Sequence, residues 1–441
     1  MRKSKVQELL EALRQYSQQA EVYHFTSEST AISFEANTVK SAEIEQSEGV
    51  ACRALVEGRL GFSAAVGHFD PRELIDNLLV SAQFGEELPL AFPGAFAAPR
   101  VITYDSALGA LPAEYLVQVG NEIVAELRQV DADAQVSVDI ERGLEVVTLT
   151  NTMGAHIQQQ LSSFSVGISV ERVDGDDVLL VGDSFEAIGF STDYRQAVQR
   201  IAQRMRLARY AATLTSGRMP VLFSPNGAMV LLLPLILGTN GKNVLRGISP
   251  LATRLGDDVC DKSLTLWDDP TISGMPSSGS YDDEGVPGQR KALILDGRCH
   301  SFLYDLKTAC QLGSVSTGNG MRSLLSAPSP AASNLVLQSG TIPLADIIGS
   351  IDHGLYVEDL LGLGQGNAIS GAFSNAVSLA YVIEHGEIVG RVKDVAIAGN
   401  IYNDLRHVAA LSCESYWVDG DILLPHILLP ELNVVAVQDA Y

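Results

Sequence analysis

The chain has 441 residues, 46% of them hydrophobic, with 30 Lys+Arg against 53 Asp+Glu and a net charge of −23. At roughly 150 residues per domain this suggests about three domains, and so much apolar material excludes a largely disordered chain. Such a negative field repels nucleic-acid phosphates and anionic lipid, so neither nucleic acid nor membrane is expected as a partner; it fits a cytoplasmic protein or one whose partners carry basic groups.

The first segment, MRKSKVQELLEALRQYSQQ, lacks the apolar core of a signal peptide. It reads as a helix, with Ser4 as N-cap, Gln7 three residues on, and Val6, Leu9, Leu10, Leu13 and Tyr16 on one face. Four strands are expected next: AEVYHF, TAISFEANTVKSAEIEQ, GVACRALVEG and RLGFSAAV, with Gly49, Gly58 and Gly61 punctuating the turns. A second helix starts at Asp70, where Asp caps, Pro71 takes the first helical position and Glu73 reaches back.

After a Pro- and Ala-rich linker, LPLAFPGAFAAPRV, the pattern recurs. A helix over 113–128 leads into VSVDIE, LEVVTLTNTMGAHIQQQ, FSVGISVERVDG and VLLVGDSFEA, and a long helix follows from about 193 to 210. Helix, four strands and helix thus occur twice, offset by about 110 residues, which reads as a tandem duplication rather than as coincidence between two generic stretches. From Ser216 the chain becomes Gly-rich, with short apolar runs such as KALILDG, NLVLQSG, AVSLAYVIEHGEIVG and HILLPELNVVAV between Gly/Asn/Asp turns, the pattern of an antiparallel sandwich or barrel. The expected architecture is α+β: one unit over 1–97, its repeat over 98–215, and a β-rich C-terminal domain over 216–441. No window approaches the ~18 uninterrupted apolar residues of a membrane span.

Little chemistry is readable from motifs. The 5 cysteines are odd in number and never form a C-x-x-C pair, which argues against a disulfide framework or zinc ribbon and for a reducing compartment. The 8 histidines lie far apart and none is followed by Glu, so the paired helical ligands of a zinc protease are missing. Cys299 and His300 are neighbours, but on a strand they would point to opposite faces. No G-x-S-x-G elbow or phosphate loop occurs, and the glycine loop 362–371 has strands on both sides, so it reads as a β-connection that can line a groove. Acid pairs at Asp257-Asp258 and Asp268-Asp269 read as ordinary loop acids. The run Asp282-Asp283-Glu284 stands apart, because Gly285 and Pro287 directly after it imply a fixed turn.

Several segments resemble the TldD/PmbA family. They include Asn37-Thr38-Val39-Lys40-Ser41, Glu48-Gly49-Val50-Ala51-Cys52-Arg53, Gly58-Arg59-Leu60-Gly61-Phe62, Gly217-Arg218-Met219-Pro220-Val221-Leu222-Phe223 and Asp268-Asp269-Pro270. Asp282-Asp283-Glu284-Gly285-Val286-Pro287, Ser316-Thr317-Gly318-Asn319-Gly320-Met321-Arg322, Ser370-Gly371-Ala372-Phe373-Ser374 and Ile397-Ala398-Gly399-Asn400 follow in family order. The resemblance implies a catalytic TldD-type subunit that holds zinc through His-Glu-x-x-x-His on a helix and a later Cys, paired with a PmbA/TldE-type subunit that lacks the motif. In this sequence the stretch after Phe223 reads Ser224-Pro225-Asn226-Gly227-Ala228-Met229-Val230-Leu231-Leu232-Leu233-Pro234, without His or acid.

The chain therefore looks like the non-catalytic branch. The expectation is an apolar helix where the metal site would lie, no cofactor in this chain and zinc in a catalytic partner. Partners are then a TldD-like subunit in a heterodimer, or a second copy, with unfolded or precursor peptides as substrate. A stand-alone peptide-binding homodimer is the alternative, and the family's older label, modulator of DNA gyrase, sits poorly with acids dispersed along the chain. Asp282, Asp283, Glu284, Arg322, Phe373 and Asn400 are the residues expected to line the cleft, and Cys413 is expected to be structural.

Overall fold

The computed structural model describes residues 5–323 and 325–436; Ser4, the expected cap of the first helix, lies outside the described residues. The first unit consists of α1 (Lys5–Leu13), β1 (Gln19–Glu35), β2 (Thr38–Val56), β3 (Arg59–Val66) and α2 (Pro71–Gln83). The second repeats it with α3 (Ala113–Val130), β4 (Gln135–Asn151), β5 (His156–Asp174), β6 (Asp177–Ala187) and α4 (Tyr194–Leu207). Asp70 caps α2 as expected, accepting from the Arg72 amide at 2.9 Å.

Each unit has three strands, not the four that turn residues suggested. The polar run 26–30 stays extended inside β1 because it is paired on both edges, by β2 and by β4. Gly49 and Gly61 lie in register opposite Phe25 and Ala54 rather than in turns, and only Gly58 of the three expected turn glycines is in one. The real reversal between β1 and β2 is Ala36-Asn37, with φ of 46° and 73°, and that between β2 and β3 is Glu57-Gly58, with φ of 49° and 78°. Two positive φ values in a two-residue loop match the right-handed twist of the flanking strands.

The six strands form one antiparallel half-barrel sheet in the order β3-β2-β1-β4-β5-β6, so the two units meet side by side through β1 and β4. Even-numbered side chains of β1 point to the helices. Val22 packs with Leu9, Leu13, Leu74 and Leu78 of α1 and α2, while Ile32 and Phe34 pack with Leu116, Ile123 and Ile201 of α3 and α4. The opposite face meets the C-terminal half at two places: where Tyr23 and Leu149 approach the loop 283–285, and where Glu186 of β6 lies against Gly420.

The C-terminal half closes on itself. The Gly217–Phe223 strand pairs in parallel with His353–Leu360 and antiparallel with Ile422–Ala436. Those two are joined through Ala372–Glu384 and Val395–Asn400, completing a ring with no free edge along this path. The expected sandwich or barrel is thus a barrel. Helix α5 (Met229–Thr239) packs Leu231, Leu232 and Leu235 against its core. Leu222, Tyr356, Tyr381 and Ile383 of the ring join the cluster under α3 and α4, so the two halves share apolar packing. No described helix is long and apolar enough to cross a membrane.

Gly120 in α3 sets how closely that helix approaches the sheet, since a Cβ there would lie 2.1 Å from the fully buried Phe34 ring. Alanine usually stabilises a helix interior by about 0.5–1 kcal/mol relative to glycine, but here overpacking outweighs it. Gly120→Ala is expected to lower stability by about 1–3 kcal/mol, read as a drop in the urea midpoint at unchanged m-value.

Candidate functional site

The loop 281–287 is fixed by its own sequence. Asp282 Oδ1 accepts from the amides of Glu284 (3.0 Å) and Val286 (2.8 Å), and Gly285 takes the positive φ of 81° that closes the turn. Asp282 Oδ2 accepts from the Gly320 amide at 2.8 Å, and the Asp283 amide donates to the Gly320 carbonyl at 2.9 Å. Gly320 must lack a side chain, because a Cβ would sit 2.3 Å from Glu284 Oε2. In this way the motif 282–287 and the motif 316–322 lock together.

This loop presents Glu284 to the N-terminal sheet. Glu284 Oε1 meets Arg53 Nη1 at 2.5 Å, and Oε2 accepts from the Leu306 amide at 2.6 Å. Arg53 of β2 also grips Glu21 of β1 with two bonds, Nε to Oε1 at 3.0 Å and Nη2 to Oε2 at 3.1 Å. Arg322 Nη2 donates to the same Glu21 Oε1 at 2.7 Å and to the Asp283 carbonyl, and the Arg322 amide donates to Asp283 Oδ2 at 2.9 Å. The Arg322 guanidinium lies 4.5 Å from the Tyr23 ring centroid, and the Tyr23 hydroxyl donates to Asp283 Oδ1 at 3.4 Å. The side chains of Glu21, Glu284 and Arg322 are 0% exposed and that of Arg53 is 2%.

Burial raises the carboxyls of Asp282, Asp283 and Glu284 above their ordinary values. Glu284's charge adds to the rise at Asp282, and the bonded amides partly offset it. Arg322 opposes the rise at Asp283, and Arg53 opposes it at Glu284. Glu21 goes the other way: burial would raise it, but Arg53 and Arg322 together hold it below its ordinary value. The two glutamates and the two guanidiniums are sealed from solvent, while Asp282 and Asp283 are half-buried, and the network acts as a clamp between the two halves.

Of the six residues expected to line a cleft, Asp282, Asp283, Glu284 and Arg322 come together in this clamp, with Glu284 buried and Asp282 and Asp283 half-buried. Phe373 and Asn400 belong elsewhere. Phe373 lines a cleft of about 360 Å³ with Val230, Leu233 and Pro234 of α5 and with Leu361, Leu363 and Gly364 of the glycine loop. Asn400 caps the short helix Ile401–Asp404, accepting from the Tyr402 amide at 3.1 Å. The expected structural role of Cys413 is not seen either, since its thiol is exposed beside Glu414.

Sequence reasoning missed Glu21 and Arg53 as site residues. The signal was Arg53 itself, a lone cation inside the apolar run 50–56. A second buried ion cluster was also missed. Arg204 of α4 binds Asp183 of β6 (3.1 Å), Glu358 (2.9 Å) and the Tyr416 hydroxyl (2.9 Å), with the latter two in the C-terminal half. Nearby His426, bonded to Tyr356 and Ser412, is pushed down to about 4 by burial.

Residues 216–436 match the model of the PmbA/TldA metallopeptidase C-terminal domain, and residues 20–82 match that of the PmbA/TldA metallopeptidase domain 1. The chain belongs to the TldD/PmbA family. A "Metalloprotease TldD homolog" of Buchnera aphidicola is 37% identical over 187 residues, which is 42% of this chain and 38% of that protein's length. The fold is that of TldE from Thermococcus kodakarensis, with a TM-score of 0.90 at 23% identity over 98% of this chain and 100% of that one. A Thermotoga maritima protein described as a candidate modulator of a DNA gyrase superposes with a TM-score of 0.88 at 22% identity, covering 98% and 99%.

The zinc motif that the resemblance implies would fall on the stretch after Phe223, where α5 lies. Its side chains, Met229 to Thr239, offer no imidazole, carboxylate or thiolate. Among the described residues no group of three or more His, Cys, Asp or Glu gathers to hold a metal ion. This donor set does not fit zinc.

Arg53→Met tests the clamp. The variant leaves Glu21 and Glu284 buried with one cation fewer, and a loss of about 3–5 kcal/mol is expected at pH 7. Because Glu21 titrates below its ordinary value in the folded chain, its contribution is complete above that value and is lost as pH falls through the folded one. The gap between wild type and variant should therefore narrow as the pH drops below about 4.5, as measured by urea unfolding at both pH values.

Proposed function

We propose that this chain is the non-catalytic subunit of a TldD/TldE-like metallopeptidase that processes unfolded or precursor peptides, its role being to complete the dimer and shape the peptide path. The observation that carries this reading is α5. In a family named for its metallopeptidases, the helix at the motif position is apolar from Met229 to Leu237 and carries a proline at its centre. Without ligands the ion is not held, and without a carboxylate no base activates water. What α5 does provide is a wall: Val230, Leu233 and Pro234 form one side of a cleft whose other side is the glycine loop and Phe373. Such a surface can seat an extended peptide without acting on it. The partner in this reading is a TldD-type chain bearing His-Glu-x-x-x-His.

Co-expression with such a TldD-type chain is expected to give a stable complex on size-exclusion chromatography. The complex should cleave an unfolded test protein such as reduced, carboxymethylated lactalbumin in a chelator-sensitive way, while this chain alone leaves it intact. Chelator-sensitive cleavage by the isolated chain would overturn the proposal.

A further inference from the structure

The face of the N-terminal sheet turned away from the helices is partly open to solvent and forms the wall of a groove whose far side, along β5 and β6, is Asn226, Met229, Leu363 and Asp419 of the C-terminal half. Strand register fixes which side chains stand on it: Ser27, Ser29 and Ser33 of β1 lie beside Glu43, Glu45 and Ser47 of β2 and beside Asp139, Glu141, Gly143 and Glu145 of β4. Ser163, Ser165, Gly167 and Ser169 of β5 continue the row to Gly182, Ser184 and Glu186 of β6. The floor is therefore serine and glycine, its charges are six carboxylates, and these positions include no Lys, Arg or His. Part of it forms a hollow of about 440 Å³ lined by Glu45, Glu141, Glu145 and several serines.

Asp139 has Lys40 within electrostatic reach, but the acids toward β5 and β6 do not share such a partner. Among the described residues Glu141, Glu145 and Glu186 have no cationic partner, and across the junction Glu186 faces Asp419 and Asp421. Burial and that like charge push Glu186 up to about 7, and burial with Asp419 pushes Asp421 up to about 6. Burial and Asp283 raise Glu145 in the same sense. Each group would gain from an external cation, and a sheet face free of bulky side chains lets an extended backbone approach closely.

We infer that this face is a docking surface for an extended, lysine- and arginine-rich polypeptide segment. Charge complementarity selects that occupant: an acidic segment is repelled, and a second copy of the chain docked through the same face would set carboxylate against carboxylate. The net charge of −23 steers a cationic segment toward the same surface. The inference rests on the peptide-handling reading above for the class of occupant. Its test uses this chain alone, so failure here leaves the subunit assignment standing.

The test is fluorescence anisotropy of the full-length chain with a labelled twelve-residue Lys/Ser peptide, beside Glu/Ser and Gly/Ser peptides of equal length. The Lys/Ser peptide is expected to bind, to weaken at least five-fold between 50 and 300 mM NaCl, and to lose at least ten-fold with the E141Q/E145Q/E186Q variant. A control removing the same charge from exposed carboxylates elsewhere, E73Q/E114Q/E387Q, should bind within two-fold of wild type. Thermal melts check that both variants fold. Equal weakening by the two variants would reduce the effect to net charge and overturn the proposal, as would no Lys/Ser binding or equal binding of the Glu/Ser peptide.

Discussion

The structure depends on one guanidinium. Arg53 stands directly opposite Glu21 in the β1–β2 register, so the sheet itself makes one ion pair, and the remaining nitrogen reaches out of the sheet to Glu284. Removing these charges from water costs several kcal/mol per ion, and the loss is offset only where geometry is good and the other lone pairs are bonded. Both conditions hold for the carboxylates: Glu21 is gripped by two guanidiniums, and Glu284 has a backbone amide on its second oxygen, while Arg322 Nε and Nη1 are buried without a hydrogen-bond partner. Apolar packing alone would tolerate sliding of the barrel against the sheet. Buried, directional contacts of this kind do not, and those at Arg53 and Arg204 together set where α5, the glycine loop and the acidic sheet face stand relative to one another.

The parts of this fold that were legible in the sequence are those decided locally. Asp70-Pro71 announces α2 because a cap and a preset φ act within one turn, and the 3.6-residue stripes announce α3 and α4. The strand count was not legible, because Thr26-Ser27-Glu28-Ser29-Thr30 has the composition of a loop and is held extended only by neighbours on both edges. The same holds for barrel closure, which needs residues more than two hundred positions apart to pair.

The candidate site was legible as a motif but not as an environment. Gly285 and Pro287 rightly mark a fixed turn at Asp282-Asp283-Glu284, yet nothing in those letters says that the acids are buried, since that depends on Arg53 from a distant strand. Phe373 and Asn400 sit in glycine-flanked motifs of the same appearance, but one lines a cleft and the other caps a helix. Motif order along a chain carries no information on which motifs meet in space. A lone arginine in an apolar strand does carry some, because such a side chain has to find its counter-ion from elsewhere in the fold.

Closure of the ring has a consequence for the order in which the protein forms. The Gly217–Phe223 strand has one ring neighbour in His353–Leu360 and the other in Ile422–Ala436. During synthesis it therefore waits for roughly two hundred further residues before its second edge is covered, and long-range pairing of this kind is slow. The six-stranded sheet and its helices lie wholly within the first half and are made well before then. The half-finished chain thus carries Arg53 with Glu21 in place and Glu284 still missing. The nascent sheet is a template on which the later half assembles, and the Ile422–Ala436 strand, the last of those described, is the one that seals the ring.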